Sequence, residues 1–156
     1  MEKDQLYISR CIELAKKALG NTYPNPLVGS VIVYNDQIIG EGFHQKAGQP
    51  HAEINAINSV KDKELLKEST IYVSLEPCSH FGKTPPCALK LKEIGFKRVV
   101  IATLDSHDKV NGKGQKILED AGIEVLTSVL EKEAIELNKR FFTYHQKKRP
   151  FIILKW

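Results

Sequence analysis

The stretch Glu76-Pro-Cys-Ser-His-Phe-Gly-Lys-Thr-Pro-Pro-Cys87 contains two cysteines with eight residues between them. Upstream of it, His51-Ala-Glu53 places a histidine and a glutamate two positions apart. A catalytic zinc site commonly has three protein ligands and keeps a fourth position open. His51, Cys78 and Cys87 would supply such a set, which predicts Zn²⁺ as the cofactor. Glu53 is close enough to His51 to act as the catalytic acid and base on a water that the metal activates.

Two other interpretations of these residues stay open. In the first, the same three ligands form a closed structural zinc knot, with His80 as the fourth ligand. In the second, no metal is bound, the cysteines are buried core residues and Glu53 caps a helix. The open catalytic site is favoured because a closed knot would leave Glu53 without a task.

The same stretch separates a strand from a helix, and this alternation continues along the chain. Apolar periodicity and helix-ending glycines predict helices over residues 4–19, 50–59, 85–94, 114–121 and 129–146. Pro50 is expected to begin its helix, and Thr84 to cap the next one. β-Branched apolar runs predict strands over residues 27–34, 37–43, 70–75, 98–103 and 123–127, with another at 150–155.

This order of elements predicts the fold class. Alternating strands and helices favour an α/β protein, here a three-layer α/β/α sandwich around a mixed five-stranded sheet. The first two strands are expected to form an antiparallel hairpin turning at Asn35-Asp36, and the later strands to be parallel. The metal-binding residues would then lie at element ends, where open α/β sheets place their sites.

Composition excludes several classes of protein. The 156 residues are most simply one domain, and 27% of them are charged. No run approaches the ~18 apolar residues of a membrane span, and the charged start Met1-Glu-Lys-Asp is unlike a signal peptide, so the cytoplasm is expected. The net charge of +4 comes from lysines mixed with acidic residues, which argues against a nucleic-acid partner. Cys11, on the apolar side of the first helix, is predicted to be core packing.

Five segments together carry a resemblance to a known family. They resemble the deaminase domain of the bacterial bifunctional riboflavin-biosynthesis proteins, and they are Pro24-Asn-Pro-Leu-Val-Gly29, residues 44–53, residues 76–87, Leu137-Asn-Lys-Arg-Phe141 and residues 150–156. The long gap between Cys78 and Cys87 separates this family from cytidine, deoxycytidylate and tRNA-adenosine deaminases. One loop departs from the family pattern, at Asp105-Ser-His-Asp-Lys-Val-Asn-Gly-Lys-Gly114, so no function is carried over to Ser106, His107 or Asp108.

The resemblance implies a fold, a reaction and substrate contacts. The fold would be cytidine deaminase-like. The reaction would convert 2,5-diamino-6-(5-phosphoribosylamino)pyrimidin-4(3H)-one to 5-amino-6-(5-phosphoribosylamino)uracil and ammonia, an early step of riboflavin biosynthesis. The family's substrate contacts correspond to Asn25, His44, His80 and Lys83. Three of these residues also have a plainer interpretation, since Asn25 suits a turn, His44 a strand end and Lys83 a solvated loop.

The resemblance also implies a division of the chain. Residues 1–147 would form the deaminase domain, and residues 148–156 would be a linker or first strand leading to a C-terminal reductase domain. A stand-alone deaminase with a remnant tail is the alternative, and the sequence leaves open whether the chain forms a homo-oligomer. Two other functions stay open: deamination of another nucleobase, nucleoside or tRNA, and a non-catalytic zinc module.

Overall fold

Five strands form one sheet in the computed structural model, which describes residues 1–106 and 111–156. Across the sheet they are arranged in the order β2-β1-β3-β4-β5. The strands are β1 (Gly29–Tyr34), β2 (Gln37–Phe43), β3 (Thr70–Val73), β4 (Arg98–Ile101) and β5 (Glu124–Leu126). β1 pairs antiparallel with β2 and β3, whereas β3–β4 and β4–β5 are parallel. The predicted mixed sheet is therefore confirmed.

The turn between β1 and β2 follows from its two residues. Asn35 and Asp36 have φ of 47° and 60°, which matches a two-residue turn between Tyr34 and Gln37. Both central residues of such a turn need positive φ, and Asn and Asp tolerate this better than most residues. The hairpin predicted from this dipeptide is confirmed.

Helices cover both faces of the sheet. The α-helices are α1 (Glu2–Lys16), α2 (Ala52–Ser59), α3 (Cys87–Ile94), α4 (Lys113–Asp120), α5 (Glu131–Leu137) and α6 (Lys139–Lys147). One buried cluster packs α2, α3 and α4 against the sheet through Ala56, Leu91 and Leu118. A second cluster packs α1 and α5 on the opposite face through Cys11 and Ala134. The three-layer prediction is confirmed, and Cys11 is a core residue.

Helix α2 lies unusually close to β2, and a glycine allows it. A Cβ built on Gly42 would lie 2.3 Å from the backbone nitrogen of Ala56 and 2.7 Å from the carbonyl oxygen of Ala52. Distances this short exclude any side chain without movement of the helix. The start of α2 is thereby pressed onto the end of β2, which sets the height of His51 and Glu53 above the sheet.

The predicted long helix over residues 129–146 is wrong, because the chain breaks at Asn138 into α5 and α6. The Asn138 side chain is buried, and its Oδ1 accepts a hydrogen bond from the Leu27 N–H at 2.8 Å. Its Nδ2 donates to the Leu27 carbonyl oxygen, also at 2.8 Å. These two bonds satisfy the backbone N–H and C=O of Leu27, which no neighbouring strand pairs. The contact with Leu27 therefore outweighs the helical periodicity of the sequence at Asn138.

Three smaller expectations need correction, namely the strand at residues 150–155, the Thr84 cap and the Pro50 helix start, and one element was not predicted. Residues 150–155 form no strand, since no other strand in the described part of the chain pairs with them, and an extended segment needs a neighbour for its backbone hydrogen bonds. A 3₁₀ helix at Lys63–Glu68 was not anticipated from the sequence. Thr84 does not cap α3, because that helix begins at Cys87, and Pro50 precedes the start of α2 by two residues.

No helix among residues 1–106 and 111–156 is long and apolar enough to cross a membrane.

Substitution of Asn138 by alanine should reduce stability strongly. The change leaves the buried N–H and C=O of Leu27 without partners, which should lower the free energy of unfolding by about 2–4 kcal/mol. Urea unfolding monitored by circular dichroism measures this. Asn58→Ala, at an exposed position of α2, is the matched control and should change stability by less than about 0.5 kcal/mol. A loss below about 1 kcal/mol for Asn138→Ala would contradict the assigned role.

Candidate active site

Three segments that are distant in sequence meet at one end of the sheet. His51 occupies the position just before α2, Cys78 lies in the segment after β3, and Cys87 is the first residue of α3. The Ala88 N–H donates to the carbonyl oxygen of Cys78 at 3.0 Å, which fastens the start of α3 to the Cys78 segment. The eight-residue insert therefore begins and ends at one place.

The three predicted ligands come together with a spacing that suits zinc. His51 Nδ1 lies 3.6 Å from Cys78 Sγ and 3.4 Å from Cys87 Sγ. Tetrahedral zinc, with bonds of about 2.3 Å to sulfur and about 2.0 Å to nitrogen, separates such ligand atoms by about 3.5–3.8 Å. Within the described ranges, the group of residues able to hold a metal consists of these three and excludes His80. The donor set therefore fits zinc with one position left for a further ligand.

The pKa values of the two thiols are shifted in opposite directions. Contact with the Cys87 side chain and then with His51 lowers the pKa of Cys78 to about 4. The same contact, together with burial, raises the pKa of the Cys87 thiol. A second thiolate beside the first is thus unfavourable unless a cation lies between them. Two cysteines this close are typical of a metal site, since a metal ion is what allows both to ionise.

Glu53 is buried beside this group. It is only 3% exposed, and burial, followed by the nearby Cys78 thiolate, raises its pKa to about 7. A carboxyl group with a pKa near the working pH can both accept and release protons readily. His51, by contrast, is exposed, so the group opens to solvent on the histidine side. The site therefore places an accessible imidazole beside a buried carboxyl group with a pKa near neutrality.

The structure divides the four predicted substrate contacts into two pairs. Asn25 and His44 lie together, with Asn25 Nδ2 3.2 Å from His44 Nε2. The His44 ring also meets the His51 ring edge-on, with centroids 5.5 Å apart. His80 and Lys83 lie in the exposed insert between the two cysteines, and no contact joins either of them to the metal-binding group within the described residues.

Sequence reasoning missed Glu76, which organises the segment in front of Cys78. Its buried carboxylate accepts hydrogen bonds from the backbone N–H groups of Asp105, Gly112 and Gln115, at 3.1, 3.0 and 3.2 Å. Burial raises the pKa of Glu76, while these three donors oppose the rise. The partners are backbone atoms more than 25 positions away, so a glutamate next to Pro77 gave no signal of this role.

The atypical loop is only partly described. His107 and Asp108, to which no function was carried over, lie outside the described residues. Ser106, the third residue without a transferred function, has a buried hydroxyl with no hydrogen-bond partner in the described structure. The loop ends at the start of α4, where a Cβ on Gly114 would lie 2.2 Å from the Pro77 carbonyl oxygen. Glu76 and Gly114 thus join this loop to the metal-binding segment.

Comparison with known proteins agrees with this geometry. A family model described as the cytidine and deoxycytidylate deaminase zinc-binding region matches residues 1–103. The chain belongs to this deaminase family. The cytidine deaminase-like fold expected from the sequence is thereby confirmed.

Individual relatives confirm the resemblance to the riboflavin-biosynthesis deaminases. A diaminohydroxyphosphoribosylamino-pyrimidine deaminase of Buchnera aphidicola (subsp. Schizaphis graminum) is 49% identical over 140 residues, which cover 90% of this chain and 94% of that protein. The riboflavin biosynthesis protein RibD of Aquifex aeolicus is 51% identical over 99% of this chain, which spans 43% of that relative.

A solved structure gives the same picture. The Thermotoga maritima diaminohydroxyphosphoribosylaminopyrimidine deaminase/5-amino-6-(5-phosphoribosylamino)uracil reductase superposes with a TM-score of 0.90 and 47% identity. The match covers 96% of this chain and 43% of that protein. The chain therefore spans about two fifths of the length of its bifunctional relatives.

Metal content should depend on Cys87. We expect about one zinc ion per chain in purified protein and much less than half of that in Cys87→Ser, because serine is a poor zinc ligand. Chelation should lower the thermal unfolding midpoint of the wild type by several degrees and leave that of the variant unchanged. Elemental analysis and thermal scans measure both effects.

Cys11→Ala is the matched control for this experiment. It removes a buried thiol in the cluster on the other face of the sheet, so it should keep both the zinc and the response to chelator. Full zinc content in Cys87→Ser would contradict the assigned ligand set.

Proposed function

We propose that this chain is a zinc-dependent hydrolytic deaminase acting on 2,5-diamino-6-(5-phosphoribosylamino)pyrimidin-4(3H)-one, with 5-amino-6-(5-phosphoribosylamino)uracil and ammonia as products. The observation that carries the proposal is the placement of buried Glu53 beside a three-ligand group that opens to solvent at His51. A structural zinc knot would need a fourth ligand, and the described residues provide three.

The substrate class is supported by the relatives and by the insert. The Buchnera relative, of which the chain covers 94%, is named as a diaminohydroxyphosphoribosylamino-pyrimidine deaminase. The insert between the cysteines is an exposed segment that carries His80 and the positively charged Lys83. Both of its ends are held at the site. A lysine on a tethered segment suits a small substrate with a phosphate group.

His51, Cys78 and Cys87 would hold the zinc ion, which supplies Lewis acidity that brings the pKa of water towards neutrality. Glu53 performs the proton transfers. Its carboxylate takes a proton from the attacking water and delivers it to the ring nitrogen next to the attacked carbon. The carboxylate then takes the remaining proton of the added hydroxyl group and passes it to the amine. A carbonyl group forms at the attacked carbon, the carbon–nitrogen bond breaks, and ammonia leaves as a neutral molecule. One group serves as base and then as acid, which its pKa of about 7 allows.

We also propose where the deaminase domain ends along the chain. Residues 1–147 form the deaminase domain, and residues 148–156 lead towards a reductase domain. Two observations support this. The bifunctional relatives are more than twice as long as the chain. The residues after α6 also expose large apolar side chains, with Ile152 65% and Leu154 76% exposed, which suits a segment that packs against a further domain.

One observation favours a second candidate, deamination of a base in a nucleic acid. Phe81 is 72% exposed beside His80 in the insert, where an aromatic ring could stack on a base. An ammonia-release assay that compares the riboflavin intermediate with cytidine, deoxycytidylate and a tRNA anticodon loop decides between the two candidates. The first proposal requires the riboflavin intermediate to be the best substrate.

Glu53→Gln separates chemistry from binding. The amide keeps the shape of the side chain but cannot carry the proton, so kcat should fall by at least ~10²-fold while zinc content and KM change little. Steady-state ammonia release and elemental analysis measure these quantities. Glu133→Gln, exposed on α5, is the control and should retain wild-type kcat. A kcat near the wild-type value in Glu53→Gln would show that another group moves the proton.

Lys83→Ala tests the phosphate contact. A charge-assisted contact to phosphate typically contributes ~1.5–3 kcal/mol, so kcat/KM on the phosphoribosyl substrate should fall at least ~10-fold. The dephosphorylated substrate should be poor already and should hardly respond to the change. Lys92→Ala, an exposed lysine on α3, should leave both values unchanged. Equal losses on both substrates would place Lys83 at the pyrimidine ring instead, and no loss on either would remove it from the site.

A further inference from the structure

Glu76 is a buried acidic side chain that the proposed reaction does not use. It is 3% exposed, and its carboxyl group accepts hydrogen bonds from three backbone N–H groups. One oxygen accepts from Asp105 and Gly112, and the other accepts from Gln115. Both oxygens thus face the start of α4, and within the described ranges Glu76 is not part of the group of residues able to hold a metal.

These hydrogen bonds make Glu76 the cap of α4. The first N–H groups of a helix lack partners within it, and a side chain at the N-cap position usually accepts from the second or third helical residue. The N-cap of α4 is Gly112, which has no side chain for this purpose, and Gln115 is the third residue of the helix. Glu76 supplies the missing acceptor from a segment 36 residues away from Gly112.

The cap is attached to the segment that carries Cys78. Pro77 stands between Glu76 and Cys78, is fully buried and has a restricted φ. A Cβ built on Gly114, in the first turn of α4, would lie 2.2 Å from the Pro77 carbonyl oxygen. The Glu76 N–H also donates to the carbonyl oxygen of Thr103, just after β4, at 2.9 Å. The start of α4 is therefore pressed against the peptide that joins Pro77 to Cys78.

The start of α3 holds the same cysteine. The Cys78 carbonyl oxygen accepts from the Ala88 N–H at 3.0 Å, and Cys78 Sγ accepts from the Cys87 N–H at 3.2 Å. Helices α3 and α4 share one buried cluster, through Leu91 and Leu118. Contacts from the starts of both helices thus determine where the sulfur of Cys78 lies relative to Cys87.

We infer that Glu76 is a positioning residue for the metal. By capping α4 it fixes the Pro77–Cys78 peptide, and this keeps Cys78 Sγ at the spacing from His51 and Cys87 that zinc requires. The inference rests on the zinc site of the proposed function and adds a residue that sets the affinity for the metal without contacting it. Groups that orient metal ligands from outside the ligand set typically account for ~10–100-fold in metal affinity.

The first test compares zinc affinities. In Glu76→Gln the amide oxygen can replace one carboxyl oxygen, but the NH₂ group cannot accept, so at least one N–H group at the start of α4 loses its partner. We expect the Kd for zinc to rise at least ~10-fold. Competition with a chromophoric chelator measures it, under conditions where circular dichroism shows the metal-free protein to be folded. Glu93→Gln, exposed on α3, is the matched control and should keep the wild-type Kd.

Cobalt(II) in place of zinc reports the geometry of the ligands through its visible absorption. We expect Glu76→Gln to shift the d–d bands and the sulfur-to-cobalt charge-transfer band, whereas Glu93→Gln should give the wild-type spectrum. A cap with a purely structural role would destabilise the metal-free and metal-loaded proteins equally, so the Kd and the spectrum would not change. That result would overturn the inference.

Gly114→Ala tests the same contact from the side of α4, and it decides the matter if Glu76→Gln does not fold. It keeps the Glu76 carboxyl group and adds a methyl group where the Pro77 carbonyl lies. Alanine favours a helix more than glycine does, so a weaker helix would not explain a loss of affinity. We expect the Kd for zinc to rise at least ~10-fold. A wild-type Kd in Gly114→Ala would show that the Pro77–Cys78 peptide does not control metal binding.

Failure of the proposed function appears separately from failure of this inference. It would be seen as a zinc-loaded wild-type protein that releases no ammonia from the riboflavin intermediate. The comparison of Kd values and cobalt spectra needs no substrate, so its outcome would stand in that case.

Discussion

Two thiols and an imidazole held within van der Waals contact form the constraint on which the site depends. Neither cysteine belongs to the same segment as His51, so the contact joins the crossover from β2 to β3 with the crossover from β3 to β4. Without a cation, only one of the thiols ionises readily. A metal ion between the two sulfur atoms would allow both thiols to ionise, and the proposed zinc ion would in this way stabilise the arrangement that binds it.

Buried polar side chains hold the loops around this site where regular structure does not. Glu76 accepts from two backbone N–H groups before α4 and from one in its first turn, and Asn138 satisfies both backbone groups of Leu27. His44 has the same kind of function for Pro50. In each case a side chain replaces the partner that a neighbouring strand would provide.

Features set by local chemistry could be predicted from the sequence. His51, Glu53, Cys78 and Cys87 were predicted together because zinc chemistry requires these residue types, and the hairpin was predicted because Asn35-Asp36 suits its turn. The break at Asn138 was missed, because its partner Leu27 is 111 residues away and is a backbone group. Glu76 was missed for the same reason. The structure brings His51, Cys78 and Cys87 together. The roles of these residues and of Glu53, the substrate contacts of Asn25, His44, His80 and Lys83, and the domain boundary at residue 147 stay predictions.

The close approach of α2 and β2 at Gly42 has a consequence for how the protein tolerates mutation. Its missing side chain leaves room for the carbonyl of Ala52, the residue between His51, the proposed metal ligand, and Glu53, the proposed proton carrier. Any larger residue would lift both groups away from the two cysteines. A screen for loss of ammonia release would therefore score this glycine together with the reactive residues, although it does no chemistry. Loss of activity on substitution of Gly42 would therefore reflect the short distance between α2 and β2.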